Sequence, residues 1–428
     1  MLTLYRLLTV PAWLLLVTVG RLLPRVRENL AARRGWEARL RRDLASLPPG
    51  GGALVWIHCA SMGEFEAIRP LARALRREGL RVALSFFSTS GPRHLRGEIE
   101  ADLVAYLPFD TPWSARRFVR CLSPGLAIVT KHDLWPNHLL AAARRGVPLW
   151  FINANFHARS RLASPWLRPF HRALLARFAW IATVSPVMAA RFHDLLAGLP
   201  VEISAPGDSR FDRVVERARE SRAAERLPEA FRHGGPLLAA GSTWEPDEQA
   251  LLPAFAALRG RVPGLRLLLV PHEPRGPQLE RLERQLEGLG LASLRLSVLE
   301  EGGRYGDQPV LIVDQVGLLA GLYAAAQAAW VGGGFTTGVH SVIEPAAFGL
   351  PVLFGPRHHV SQEAQDLLVR GGAGEVAGPE EAAAWLERLF TDEGARRAMA
   401  EASAALVRER TGATTVLAAR VLKQLGRG

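Results

Sequence analysis

Cysteine is almost missing from this chain: Cys59 and Cys121 are the only two in 428 residues. No disulfide framework and no multi-cysteine zinc site can be built from them, so the fold must stand on hydrophobic packing in a reducing compartment. Lysine is equally rare. Of 53 basic residues only Lys131 and Lys423 are not arginine, so a lysine that survives such a bias is a candidate for a specific task. No D-x-D triplet occurs, which removes the usual pair of carboxylates that grips Mg²⁺ for a diphosphate leaving group. What is present is 48% apolar and 22% charged, with 40 Gly and 29 Pro spread along the chain. That balance excludes disorder, collagen-like repeats and a polytopic membrane protein, and the length suits two or three domains.

The net charge of +12 is uneven: nine arginines face three acidic residues within residues 1–50, half of the whole excess. Among them runs LLTVPAWLLLVTVG, residues 7–20, uncharged and bracketed by Arg6 and Arg21. As a helix it covers about 21 Å, short of the ~30 Å hydrocarbon core. A signal peptide fits the apolar length, but no clear small-x-small cleavage site follows and the dense arginines oppose export. A packed helix of a soluble domain is the plainer alternative. The pattern is best met by a shallow anchor whose arginines meet an anionic membrane surface. Nucleic acid is not expected as a partner, because no recognised motif for it accompanies the charge.

From residue 53 short apolar runs alternate with helical patterns. Strands are predicted at 53–60, 81–88, 103–109, 126–133, 147–154, 180–185 and 201–207, then at 235–243, 266–273, 309–315, 328–335 and 351–356. Continuous apolar strands divided by amphipathic helices indicate parallel sheets covered on both faces. The charge-rich stretch at 208–234 reads as a linker, and the tail from 379 as nearly continuous helix. The expected fold class is therefore α/β. An N-terminal membrane-contact segment occupies 1–50 and a doubly wound, Rossmann-like domain 51–207. After the linker, 235–428 form a second such domain facing the first across a cleft, with ligands at the carboxyl ends of the strands.

Several strand ends carry residues able to do chemistry. The first delivers CASMGEFE, where Gly63 is expected to permit a tight turn. Glu64 there either complements a helix N-terminus or acts as a general base toward a hydroxyl nucleophile. The fourth delivers TKHDLWPN. Lys131 is either a leftover of the arginine bias or a point charge that a guanidinium cannot replace. His132 and Asp133 read as a hydrogen-bonded pair. In GDSRFDR, Arg210 stands beside a glycine turn at the domain junction, above the background of solvated arginines only by its position. In the second half, VGGGFTTGVHSVIEPAAFG offers either a plain strand–helix turn or backbone N–H groups for phosphate at a helix start. Glu344 in it could accept from ribose hydroxyls.

Taken in order, HCASMGEFEA, SFFSTSG, LPFDTP, KHDLWPN, GDSRFDRV, GSTWEPDE, PHE and GGGF…GVHSVIEPAAFGLPVLFGP resemble the 3-deoxy-D-manno-octulosonic acid (Kdo) transferases over nearly the whole chain. The resemblance implies a GT-B glycosyltransferase that carries Kdo from CMP-Kdo to a lipid A precursor in lipopolysaccharide core biosynthesis, at the cytoplasmic face of the inner membrane. It implies an acceptor-binding domain at 51–207, a CMP-Kdo-binding domain at 235–428, and no cofactor or metal for the transfer step. Glu64 becomes the catalytic base, with Arg210 in place of a family lysine. Nucleotide contacts fall on Pro271 and His272, on Val316, Gly317 and Leu318, and on Ser341, Val342, Ile343 and Glu344. Where well-known members read E-T-E-L-W-P-N, this chain has Lys131-His132-Asp133-Leu134-Trp135-Pro136-Asn137 and resembles a branch with lysine there. The usual glutamate's role does not carry over, and Lys131 joins the expected catalytic set. A sugar-nucleotide epimerase of the same fold and an inactive nucleotide-sugar-binding protein are the competing readings.

Overall fold

A computed structural model describes residues 1–48, 52–88, 99–131, 133–156, 162 and 164–427. The chain divides into two compact units, Met1–Arg213 with Thr411–Gly428, and Val214–Arg410.

In the first unit the strands are β1 (Leu54–Cys59), β2 (Arg81–Phe86), β3 (Leu103–Tyr106), β4 (Leu126–Thr130), β5 (Leu149–Ala154), β6 (Trp180–Thr183) and β7 (Glu202–Ser204). They pair in parallel in the order β3-β2-β1-β4-β5-β6-β7. All seven were legible as apolar runs, because a strand covered on both faces needs no polar alternation. The helix Met62–Arg77 shows how the cover is made. Phe65, Ile68, Leu71, Ala72 and Leu75 fall on one stripe and are buried against Val55, Ile57 and Leu84 of the sheet.

The second unit holds β8 (Leu237–Thr243), β9 (Arg266–Pro271), β10 (Ser293–Arg295), β11 (Val310–Ile312), β12 (Ala328–Val331), β13 (Val352–Phe354) and β14 (Ala373–Glu375), in the order β10-β11-β9-β8-β12-β13-β14. Strands β10 and β14 were not anticipated. Both lie at a sheet edge, and Ser-Leu-Arg and Ala-Gly-Glu hold too few bulky apolar residues to stand out as an apolar run. In each sheet the chain reverses its direction of winding at one point, between β1 and β4 and between β8 and β12. Such a switch leaves a crevice at the carboxyl ends of the two strands.

The expected boundaries need three corrections. Residues 208–234 are not a free linker. They form the helix Ser209–Glu220, a 3₁₀ turn Ala223–Arg226 and the helix Glu229–His233, and Leu227 and Phe231 are buried in the second unit's core. The tail is nearly continuous helix, as expected, in three lengths, Pro379–Thr391, Glu393–Arg410 and Ala413–Gln424, interrupted at Asp392 and before Ala413, where Gly412 has φ +119°. The last helix belongs to the first unit. Asp212 accepts from Gly412 N at 2.6 Å and Thr414 N at 2.7 Å, while Leu417 and Val421 join the core around Val55 and Ile68.

The N-terminal fifty residues are also not simply a membrane segment. After the helix Leu2–Thr18 come Pro24–Arg33 and Trp36–Ala45, and Leu40 and Arg33 are buried. The Arg33 guanidinium donates to Leu107 O at 2.8 Å and to Phe87 O, between the rings of Phe87 and Phe109. Burial pulls it down to about 10. This arginine holds the fold together and is withdrawn from any headgroup.

Candidate functional site

The crevice at the first switch point is a pocket of about 330 Å³ lined by Ser61, Gly63, Glu64, Lys131, Asn153, Asp208 and Arg210, with Asn155 and Val184 beside them. The three residues singled out as catalytic from the sequence therefore lie on one wall system. Each arrives from a different element, for a local reason.

Glu64 sits in the first turn of the helix Met62–Arg77 and is 8% exposed. Its Oε2 accepts from Ala60 N at 2.7 Å and from Thr130 Oγ1 at 3.0 Å. The glycine beside it does not make the tight turn expected of it. Gly63 is inside the helix, and a Cβ there would meet only Ser61 Oγ at 3.9 Å. What Gly63 leaves is open space on the pocket wall. Beneath the glutamate, Cys59 is fully buried, and burial followed by the Glu64 charge pushes its thiol far above the ordinary range, so it is no nucleophile.

Lys131 follows directly after β4 with φ +53°, the left-handed region that a non-glycine residue rarely occupies. Its N–H still bonds Ile152 O at 3.2 Å, so the turn is built into the sheet's end. The ammonium has no carboxylate at ion-pair distance among the described residues. His132 lies outside those residues. Asp133 accepts from Trp135 Nε1 at 3.3 Å and stands 3.7 Å from the buried His58. Residues 89–91 of the SFFSTSG motif are likewise outside.

Arg210 opens the helix Ser209–Glu220. Asp208 accepts from its backbone N at 2.9 Å and its Nε at 2.8 Å, with Nη2 2.7 Å away. Asp208 thus fixes the direction of its fork. Ser209 is clasped by Asn153, Nδ2 to Oγ at 2.7 Å and Oδ1 from N at 3.2 Å, and gives its own proton to Ala67 O. Asp208 and Asn153 were missed from the sequence. A polar Asn153 (φ +49°) at the end of the run LWFINA was the available signal.

In the second unit the residues expected from the resemblance to contact a nucleotide form two groups. Pro271 ends β9 and His272 follows it, its ring stacked with those of Trp244 (centroids 4.6 Å apart) and His340 (4.4 Å). Trp244 Nε1 donates to His340 Nε2 at 3.0 Å. Burial, then His272, holds the His340 imidazole below its ordinary value. Arg217 joins the second group, donating to Gly317 O at 3.3 Å and lying 3.8 Å from Glu344, whose carboxyl burial raises. Val316 beside it is exposed, and Leu318 caps the short helix that follows.

The glycine run differs from expectation. Residues 332–337 form a turn that does not run into the helix, and Ile343–Ala347 begins only after an irregular stretch. The glycines serve close packing. A Cβ on Gly332 would come 2.2 Å from Ser242 O, and one on Gly334 would come 2.4 Å from Gly355 N. The Gly333 amide bonds the buried Asp247 at 2.9 Å. Ser341, Val342, Ile343 and Glu344 instead flank the helix start. Among the described residues no three His, Cys, Asp or Glu side chains gather as a metal site.

Finally, the apolar helix is docked by one flank. Tyr5 Oη donates to Asp110 at 2.9 Å, Thr9 Oγ1 accepts from Asn137 Nδ2 at 3.3 Å, and Trp13 meets Trp113 edge-on. Leu4, Leu7, Leu8, Leu14, Leu15, Val19, Leu22 and Leu23 face outward, exposed. The helical run Leu2–Leu22 is longer than the uncharged stretch suggested, and by length and composition it is sufficient to cross a membrane.

A profile of the family described as 3-deoxy-D-manno-octulosonic-acid transferase (kdotransferase) matches residues 28–213. A protein of Bordetella pertussis named 3-deoxy-D-manno-octulosonic acid transferase is 31% identical over 398 residues, covering 89% of this chain and 90% of its own. One of the same name from Haemophilus influenzae is 29% identical, covering 78% and 76%. Among solved structures, the UDP-GlcNAc 2-epimerase of Neisseria meningitidis aligns with a TM-score of 0.61 at 14% identity, covering 86% of this chain and all of its own. A glycosyltransferase of Rickettsia africae gives 0.59 at 13%, covering 88% and 99%. At such identities these two establish the GT-B fold alone.

Proposed function

The chain belongs to the Kdo transferase family and is a glycosyltransferase of lipopolysaccharide core biosynthesis, and from that premise we propose that it moves Kdo from CMP-Kdo onto a lipid A precursor, with inversion and without a metal. The observation that carries the reading is the pocket at the β1–β4 switch point, which gathers Glu64, Lys131 and Arg210. Glu64 takes the proton of the acceptor hydroxyl as that oxygen attacks the anomeric carbon. CMP departs as an already acidic phosphate, so it needs positive charge more than a proton. Lys131 and the Asp208-held fork of Arg210 supply that charge. The nucleotide is assigned to the second unit, at Pro271 and His272, Val316 to Leu318, and Ser341 to Glu344.

The outward leucines of the N-terminal helix fit a membrane carrying the lipid acceptor. Docking of Tyr5, Thr9 and Trp13 on protein ties up one flank over more than two turns, which favours a helix lying in the cytoplasmic face of the inner membrane over one that crosses it. Incubation with freshly made CMP-Kdo and a lipid A precursor tests the whole reading. CMP release with matching mass gain of the lipid is expected. An isomerised nucleotide sugar, or no reaction, overturns it.

A further inference from the structure

We infer that Thr130, which ends β4, is a positioning residue for Glu64 during transfer; the inference rests on Glu64 being the base. Strands β1 and β4 are adjacent and in register, with His58 opposite Val129, so Thr130 is delivered beside the end of β1. The helix carrying Glu64 starts three residues after β1, and its glutamate turns back over the strand ends. There Ala60 N and Thr130 Oγ1 both donate to the same oxygen, Oε2. No described residue bonds Oε1. One oxygen of the carboxylate is thereby anchored twice and the other is left to the pocket.

The residue type matters. Strand LAIVT is otherwise apolar, and a valine of the same shape would suit its last, 1% exposed position equally well. A threonine hydroxyl has one proton to give; the Cys59 thiol also bonds this hydroxyl, but burial keeps the thiol protonated and hence a donor, so the Thr130 proton goes to Glu64. A free glutamate carries several rotors. Two donors on one oxygen fix the plane of the carboxylate, so that Oε1 presents its lone pairs in one direction, which is what proton transfer in the attacking step requires. During that step the acceptor proton passes to Oε1, the new C–O bond forms, and the bond to the CMP phosphate breaks with its electron pair on CMP. Thr130 keeps its proton throughout.

Thr130→Val is expected to lower kcat roughly tenfold or more, with KM for CMP-Kdo and for the lipid acceptor within about twofold of the parent. Thr130→Ser, which keeps the hydroxyl, is expected to retain most of the parent kcat. The decisive arm is the double variant. If Thr130 acts through Glu64, adding Thr130→Val to Glu64→Gln changes kcat by less than about twofold. An unchanged kcat in Thr130→Val, or the same loss in the Glu64→Gln background as alone, overturns the inference while leaving the base intact. Parent-like turnover in Glu64→Gln itself overturns the base and the inference together. Should Thr130→Val melt below the assay temperature, Thr130→Ala, which places no methyl against the carboxylate, replaces it in every arm.

Discussion

Lys131 occupies a backbone conformation that favours glycine, in a chain that otherwise writes arginine almost everywhere. Left-handed backbone costs a side-chain-bearing residue about 1 kcal/mol, and strain of this kind persists where surrounding structure holds it for a task. Three substitutions separate backbone from charge. Lys131→Arg and Lys131→Ala keep the strain and are expected to leave the melting temperature nearly unchanged while lowering turnover about 10²-fold, since each misplaces or removes the ammonium. Lys131→Gly relieves the strain, so it is expected to melt higher than the parent yet remain as slow as the alanine variant. A fully active Lys131→Arg enzyme would return this lysine to the background. Glu64 offers the complementary case. Glu64→Gln can still accept from Ala60 N and Thr130 Oγ1 through its amide oxygen, so the fold and nucleotide binding should survive. Turnover, followed as CMP release, is expected to drop roughly 10²-fold or more.

Two elements make separate demands. The N-terminal helix seats Tyr5 on Asp110, a carboxylate that burial alone would raise but that bonds from His138, Asn137 and Tyr5 hold below its ordinary range. Deleting residues 1–23 removes the outward leucines together with this seat. Vesicle flotation is therefore expected to fall, and residual binding through the remaining arginines should require anionic lipid and decline with salt. Binding of the truncated protein to neutral vesicles, unchanged at high salt, would contradict this. The stacked rings at the end of β9 respond to acid. His340 is held below 6.5 in the folded protein, so its neutral ring contributes stability above the unfolded value that is lost as the pH falls through the folded one. Asp247 and Glu344, both raised by burial, act in the opposite sense as they take up protons. The comparison that isolates the ring is therefore with His340→Phe, which keeps the stack. Its melting temperature is expected to gain on the parent's as the pH falls below about 6.5.

At the scale of the whole molecule the division at Arg213 and the return of the last helix set what can fold alone. Residues 214–410 are expected to fold as a fragment, by circular dichroism and a cooperative melt. A fragment of 1–213 should be unstable unless Ala413–Gln424 is supplied, because Leu417 and Val421 would leave the Val55 and Ile68 core open to water. The sequence by itself determined the fold class, the positions of twelve of the fourteen strands, and the candidacy of Glu64, Lys131 and Arg210. Apolar runs, turn residues and motifs are local, and each strand end announces its own residue. Tertiary structure alone decided which of those ends meet. It brought Thr130 onto Glu64 and Asn153 onto Ser209. It buried Arg33 where a headgroup contact was expected, and it sent the tail back to the first sheet. Thr130 meets Glu64 across 66 residues, Arg33 reaches Leu107 across 74, and Gly412 reaches Asp212 across 200. No periodicity records such pairings, because they are fixed by sheet order and by the need to partner every buried charge.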